Sequence, residues 1–524
     1  MPSAILRHAI VTALAHAALL GCSSTDPVDA AQQGAGGAAQ AAPKALPALG
    51  EVWLTTDKTL DPSAPITSTP RNPQLPDELA AMRADGWGAL KEAPGQAVVA
   101  VTLDGSPAPA PGAGAKLLAR FVHLADTQLA DDESPVRLAT LDSPGMISGA
   151  FRPQEGHECR ILNAAVRTIN KLHEKLPISF VLLGGDNADN AQSNEVDWFQ
   201  AILTGAPSVE CDSGDDDDPT PGPDNDPKDP FVAEGLAVPW RWVTGNHDLL
   251  VQGNISVGTG NSEVSVGSYS PNGARDWTQP GGPVIRGDVI ADPRRLLVNR
   301  STLMAKIAGD GDGHGVDAAA AKRGKAYYAY DVGTSPLRVV VVDSAAETGA
   351  DSGVIHKADV DAVLKPLLDK AKADGKVVVV ASHHSSQKLT DGSGLGGSTQ
   401  ADAMTPDEWR AFLGGYDNVL LHLAGHTHEH RYFTVNPPGG HAYYELETAS
   451  LADFPHQMNV IELWDEDDGH LAIKAIPFDY SVEGDPVAAE GREISVVDLT
   501  SGYGQDGRGD PKQRAVELWI PKPK

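Results

Sequence analysis

Cysteine is scarce in this chain, with three in 524 residues. So few thiolates rule out a cysteine-rich zinc knot, and any metal centre has to be built from nitrogen and oxygen ligands. Basic residues are also short, 41 Lys and Arg against 71 Asp and Glu, for a formal net charge of −30. Nucleic acids are held through Lys and Arg, so this balance argues against nucleic acid as a partner. Beyond Leu20 no apolar run is long enough to cross a bilayer as a helix. There is no internal repeat. The most acidic stretch, residues 207–230, lacks the order of a calcium-binding EF-hand: Asp224 and Asp226 are followed by Lys228 where a ligand is wanted, and no Gly or distal Glu falls in place. So many Asp and Pro residues cannot bury a core. The stretch reads as a solvated surface loop, with an irregular cation site as the alternative.

An apolar content of 41% over this length supports a real core, in one large domain with insertions or in two. Arg7 and His8 precede a short apolar stretch, Ala9 to Leu20, which marks residues 1–21 as an export signal rather than a retained span. Leu19-Leu20-Gly21-Cys22 resembles the lipobox of bacterial lipoproteins, which implies a lipid on Cys22. The expected location is therefore the bacterial cell envelope, exported and membrane-anchored, on a periplasmic or surface-facing side. Residues 22–50 read as a flexible tether. Residues 51–115 read as an N-terminal extension with strand-like pieces at Glu51–Thr55 and Ala97–Leu103. The main domain is expected over 116–480, with insertions near 207–238 and 249–325, and 481–524 as a weakly patterned tail. With Cys22 acylated, Cys159 and Cys211 remain in an oxidising compartment, where they could pair.

Within the main domain five apolar runs end alike. Phe180 to Leu183 is a buried-strand pattern followed by two glycines and then Asp186 and Asp189. Phe121 to Ala125 runs into Asp126 and Gln128, and Pro239 to Thr244 into Asn246, His247 and Asp248. Lys376 to Ala381 precedes His383 and His384, and Asn418 to Leu423 precedes His426 and His428. Open α/β sheets gather ligands at the carboxyl ends of their strands, so these five ends can converge. Between them, amphipathic helices are expected near Glu158–Leu176, Asn194–Leu203 and Ala358–Ala373. A capping box at Thr405 to Glu408 starts another. The seven ligand-type residues Asp126, Gln128, Asp186, Asn246, His383, His426 and His428 are too many for one tetrahedral ion. They suit two ions about 3.5–4 Å apart, bridged by a carboxylate and a hydroxide, which is hydrolytic machinery. Nitrogen and oxygen donors suit two divalent or trivalent ions, Mn, Fe or Zn foremost.

The order of these blocks resembles the calcineurin-like metallophosphoesterase superfamily, whose pattern runs D-x-H, G-D-x-x-D, G-N-H-D/E, H and G-H-x-H. The last four blocks are met by Gly185 to Asp189, Gly245 to Asp248, His383, and Gly425 to His428. The resemblance implies two packed mixed β-sheets flanked by helices, a four-layer α/β sandwich, and hydrolysis of a small phosphate ester as a phosphodiesterase or phosphomonoesterase. It implies one metal on Asp126, Asp186 and His428 and another on Asp186, Asn246, His383 and His426. His247 then faces the phosphate and protonates the leaving group, and Asp189 orients it. The first block departs from the pattern, with Gln128 in place of the imidazole. A neutral amide oxygen is the poorer ligand, but Gln128 stays in the set. His384 reads as a residue behind the metals or beside the substrate. Asn190 stands where the Ser/Thr phosphatases of the superfamily carry an arginine, which tells against that branch.

Two other readings compete. Amidohydrolases also use H-x-H with two metals, but their H-x-H comes first and a lone Asp last, the reverse of the order here. An envelope protein that keeps the fold and binds a metal or ligand without turnover is the other alternative; the presence of His247 and Asp189, which serve chemistry rather than metal retention, weighs against it.

Overall fold

The computed structural model describes residues 42–142, 149–346 and 348–523. The expected export signal, Cys22 and the tether as far as residue 41 lie outside the described residues. The chain lays down β1 (Val99–Thr102), β2 (Lys116–Leu124), β3 (Val181–Leu183) and β4 (Trp240–Arg241). It then builds β5 (Tyr328–Asp331), β6 (Leu337–Val341), β7 (Val377–Ala381), β8 (Val419–Ala424), β9 (Arg431–Val435) and β10 (Tyr443–Glu447). It returns through β11 (Gln457–Asp465), β12 (His470–Asp479) and β13 (Val516–Pro521). The first four and last three form a seven-stranded sheet in the order β1-β13-β12-β11-β2-β3-β4, and the six between them form a second sheet, β5-β6-β7-β8-β10-β9. Both are mixed: β2, β3 and β4 run parallel, as do β6, β7, β8 and β10, while the outer hairpins are antiparallel.

Strand periodicity explains the layering. Val339, Val341, Val379 and Ala381 join a core cluster with Phe121, Leu463 and Leu518 of the first sheet. The alternate residues Val340, Val342, Val378 and Val380 face the other way, onto Leu368 and Ala371 of α3 (Lys365–Ala373) and Trp409 and Leu413 of α4 (Pro406–Gly414). Residues two apart share a face, so an all-apolar run is buried on both sides, as in parallel strands under helices. On the first sheet's outer side lie α1 (Glu158–Lys175) and α2 (Ser193–Thr204), which bury Ile161, Leu162, Ile169, Val196 and Phe199. Thr405 caps α4, its Oγ1 accepting from the Glu408 amide, with Pro406 in the first turn. The α/β architecture of two mixed sheets flanked by helices is thus as the sequence implies.

Four expectations need correction. Residues 481–524 are not a weakly patterned tail: they form α5 (Pro486–Thr500), with Val487, Ile494, Val497 and Leu499 buried, and then β13, which pairs with β12 on one side and β1 on the other. The apolar pattern of α5 is broken by Glu490, Arg492 and Glu493, and two of these meet Arg83 across the surface. Residues 42–50, expected within the tether, lie along the domain; Leu49 is buried and Arg167 donates to the Pro47 carbonyl. Glu51–Thr55 forms no strand, whereas Lys58–Pro62 and Leu90–Pro94 pair as a hairpin.

The acidic stretch is only partly solvated. Lys228 is buried, its ammonium 3.0 Å from Asp132 and 2.5 Å from Glu133, and Asp212, Asp226 and Asp229 are buried beside it. Carboxylates from another loop neutralise the lysine, and no composition count anticipates that pairing. Cys159, in the first turn of α1, is bonded to Cys211 at the start of this stretch across 52 residues. Among the described residues no helix is long and apolar enough to cross a membrane.

Candidate metal centre

All five expected strand ends converge. Beyond the ends of β2 and β3 the two loops continue to pair: Asp126 N donates to Gly185 O (3.0 Å), Gln128 N to Asp186 O (2.8 Å) and Asp189 N to Leu129 O (3.1 Å). This ladder holds Asp126 and Asp186 side by side. Asp126, Gln128, Asp186, His426 and His428 all have positive φ, between 44° and 70°. Non-glycine residues rarely adopt that backbone, and such strain clusters where surrounding contacts over-determine a site. Gly185 shows how tight the packing is. Its φ is +88°, and a Cβ there would lie 2.6 Å from His383 Nδ1 and 2.9 Å from the Gly245 amide.

The side chains form one buried cluster. His383 Nε2 is 3.1 Å from Asp186 Oδ2 and 3.8 Å from Asp126 Oδ1, and His428 Nε2 is 3.4 Å from Asp126 Oδ1. Asp126, Asp186 and His383 offer oxygen and nitrogen atoms within 4.8 Å of one another. The His426 amide donates to both oxygens of Asp126 at 3.0 Å. Burial lowers the basicity of His383 and His428, but the facing carboxylates outweigh it and push them up to about 9 and about 10. Burial opposes ionisation of Asp186, yet the surrounding imidazoles hold it well below the usual carboxylate range. The cluster draws positive charge into the space between its carboxylates.

Two buried atoms in this cluster, Asn246 Oδ1 and Gln128 Oε1, lack any hydrogen-bond partner, and His383 Nε2 faces only the carboxylates, Asp186 Oδ2 first at 3.1 Å. In each case the rest of the side chain is tied down. His383 Nδ1 donates to Gly184 O (2.7 Å), Asn246 Nδ2 to Gly253 O (3.0 Å), and Gln128 Nε2 to Asp186 Oδ2 (3.4 Å). An orphaned buried acceptor costs about 1–3 kcal/mol, so two in one place, beside an imidazole nitrogen turned to the same carboxylates, fit an electrophile that they share. The donor set of imidazole nitrogens, amide oxygens and carboxylates fits divalent metal ions. His384 differs. Its Nε2 lies 2.9 Å from Asp351 O and its Nδ1 2.9 Å from Ser344 Oγ, so it donates to one, accepts from the other and has no lone pair left for a metal.

Behind the cluster stand Asp189 and Asp248, which the sequence named, together with Asp453, Arg152 and Arg137, which it did not. Asp453, in the loop after β10, accepts a hydrogen bond from His428 Nδ1 at 2.6 Å and one from Arg152 Nε at 2.7 Å. Asp189 accepts from His247 Nδ1 at 2.9 Å and from Arg137 Nη1 at 2.8 Å. Burial raises Asp189, but His247 and Arg137 prevail and hold it at about 2. Asp248 accepts the amides of Gly245, Asn187 and Ala188, fastening the β4 loop to the β3 loop. Of the three unannounced residues, Asp453 alone has a visible signal: it follows the apolar run at Tyr443–Glu447, though six residues past its end. Asn190 is buried against Glu195, to which its amide and side chain both donate. From the 249–325 insertion, Gly253 reaches the centre; a Cβ there would lie 2.3 Å from the His247 ring.

The family model described as calcineurin-like phosphoesterase matches residues 119–430. No curated protein matches the chain. Among solved structures, a dimetal phosphatase of Danio rerio is 13% identical, covering 70% of this chain and 100% of its own, with a TM-score of 0.39. A purple acid phosphatase from yellow lupin (Lupinus luteus) seeds is 13% identical, covering 71% of this chain and 52% of its own, with a TM-score of 0.32. GAP50 of Plasmodium, described as the anchor in the inner membrane complex, is 12% identical and covers 72% of this chain and 95% of its own, at a TM-score of 0.29. Structures this distant say nothing about the chemistry of this chain.

Proposed function

Because the chain belongs to the calcineurin-like phosphoesterase family, we propose that it hydrolyses small phosphate esters with two metal ions held at the converged strand ends. Asp126, Gln128, Asp186 and His428 would hold one ion, and Asp186, Asn246, His383 and His426 the other. The observation that supports this reading is the pair of orphaned acceptors, Asn246 Oδ1 and Gln128 Oε1, beside His383 Nε2 at the Asp186 carboxylate, each presented by a side chain fixed at its other end. Bound there, divalent ions supply Lewis acidity that activates water and offsets charge on the phosphoryl oxygens.

The protein's own groups do the rest. His247 Nδ1 is committed to the Asp189 carboxylate and to the Asp189 carbonyl at 3.0 Å, which leaves Nε2 on the side of the cluster, 3.9 Å from Asp186 Oδ2. From there Nε2–H donates its proton to the departing ester oxygen. Asp189 keeps the ring in the required tautomer and orientation, a contribution of about 10²–10⁴ in rate for a well-placed general acid. The His247 amide donates to Asp186 Oδ1 at 2.8 Å, which ties the acid's backbone to the shared carboxylate. Asp453 fixes the proton of His428 on Nδ1 and so leaves Nε2 to bind.

The purified chain is to be assayed for metal per chain and for hydrolysis of bis(p-nitrophenyl) phosphate and p-nitrophenyl phosphate with added Mn²⁺ or Zn²⁺. Hydrolysis of neither ester by fully metallated protein would refute the reading. Asp186→Asn loses metal and activity together; His247→Asn keeps metal and loses rate. Lipid attachment at Cys22 is a separate part of the proposal, tested by labelled fatty acid incorporation that Cys22→Ala abolishes.

A further inference from the structure

We propose that Arg137 is a positioning residue for the leaving-group acid: it locks the Asp189 carboxylate so that His247 is held in its proton-donating orientation. The inference rests on the proton-donating role of His247. Asp189 is gripped at both oxygens, Oδ1 by His247 Nδ1 at 2.9 Å and Oδ2 by Arg137 Nη1 at 2.8 Å. With both oxygens committed the carboxylate cannot rotate about its Cβ–Cγ bond without breaking a charge-assisted bond. The guanidinium is itself anchored. Nη2 donates to Glu155 Oε2 at 2.5 Å and to the Ala150 carbonyl at 3.4 Å. Glu155 Oε2 in turn accepts the Arg152 amide at 3.0 Å.

Arg137 is fully buried, and its bonds run to Asp189, Glu155 and Ala150 rather than to any of the seven proposed metal ligands. It lies behind Asp189 as seen from His247, so its influence on the reaction passes through that carboxylate. The requirement is specific to arginine. One planar fork reaches two carboxylates at once, whereas the point charge of a lysine reaches one of them well. Charge balance fits this arrangement. Asp189 and Glu155 are buried carboxylates that a single buried cation pairs, and loss of that cation would leave Asp189 free to turn away from His247.

A structural prop and a positioning residue differ in what they do to substrates with different leaving groups. Protonation matters most when the departing oxygen is strongly basic, so phenyl esters depend on His247 more than p-nitrophenyl esters do. The metal-loaded full chain, Arg137→Met, Arg137→Lys and His247→Asn are compared on phenyl and p-nitrophenyl esters, as monophosphates and as diesters, with metal per chain measured for each. We expect Arg137→Met to lower kcat on the phenyl ester by about 10²-fold and on the p-nitrophenyl ester by about threefold or less, with KM and metal content unchanged. Arg137→Lys recovers part of the selective loss. Equal losses on both esters, or none, overturn the role of Arg137. If Arg137→Met does not fold, Arg137→Lys decides by the same criterion, a selective loss on the phenyl ester supporting the role and a non-selective effect overturning it. If His247→Asn lowers both esters equally, or the wild-type chain cleaves neither, the reading of His247 falls and this proposal with it. If His247→Asn is selective and the Arg137 variants are not, only the proposal falls.

Discussion

Replacing Asp453 with Asn separates metal retention from turnover. In the native protein Asp453 Oδ2 accepts the His428 Nδ1 proton at 2.6 Å and Oδ1 accepts from Arg152 Nε at 2.7 Å. Both donors need an acceptor. Asn offers one carbonyl oxygen, so its NH2 group must face either the imidazole N–H or the guanidinium, and one of the two bonds becomes a donor–donor contact. The carboxylate charge that makes His428 a stronger base is also lost. Partners of this kind behind metal-binding histidines are worth about 10–100-fold in metal affinity, which is about 1.4–2.8 kcal/mol at 1.4 kcal/mol per decade. We therefore expect Asp453→Asn to bind one of two ions about 10–100-fold more weakly, to lose that ion on dialysis, and to regain most of its turnover when Mn²⁺ or Zn²⁺ is supplied in excess. Asp189→Asn should do the opposite, keeping both ions and losing about 10²–10⁴ in rate that no added metal restores. Metal analysis after dialysis, competition with a chelator, and rates across a metal titration read all of this out. Unchanged affinity in Asp453→Asn, or a loss of rate that excess metal fails to repair, would refute the assignment of Asp453 to His428.

Gln128→Ala removes the orphaned Oε1 and should weaken one ion by about tenfold, seen as substoichiometric metal after dialysis; full retention would take Gln128 out of the ligand set. Lys228→Met leaves Asp132 and Glu133 buried without their shared cation and should cost about 3–5 kcal/mol in denaturant unfolding, well beyond a surface substitution. Asp217 in the same loop is pushed up to about 7, by burial first and then by Glu133. Its folded-state pKa exceeds the unfolded one, so its contribution to stability is fully present below about pH 4 and lost as the pH rises through 7. The thermal midpoint should accordingly fall less between pH 6 and 8 in Asp217→Asn than in the wild type; identical slopes would exclude Asp217 as a source of the fall.

The parts of the fold that were legible in the sequence are those governed by local pattern. β3, β7 and β8 are short apolar runs closed by glycine or histidine, and α1 has a clear stripe of Ile161, Leu162, Ile169 and Leu172. The C-terminal region escapes such a reading because its signal is not local: α5 carries charged residues that pair with Arg83 at the surface, and β13 earns its place only by fitting between β1 and β12. The acidic loop escapes it for a related reason. Its composition is that of a solvated segment, but Lys228 finds Asp132 and Glu133 some 95 residues earlier in the chain.

The sequence by itself singled out which residues offer metal-type donors at the strand ends, because a side chain two or three positions beyond a buried strand has little freedom to point elsewhere. Asp126, Gln128, Asp186, Asn246, His383, His426 and His428 were named on that ground. Only the tertiary structure decided what stands behind them. Asp453 behind His428, Arg137 behind Asp189, and Cys159 against Cys211 join residues separated by 25, 52 and 52 positions. Such partners are chosen by distance and orientation in space; the two thiols could be named as a possible pair and the fold brought them together, but a buried charge leaves no periodic mark in the chain to say which distant group will satisfy it.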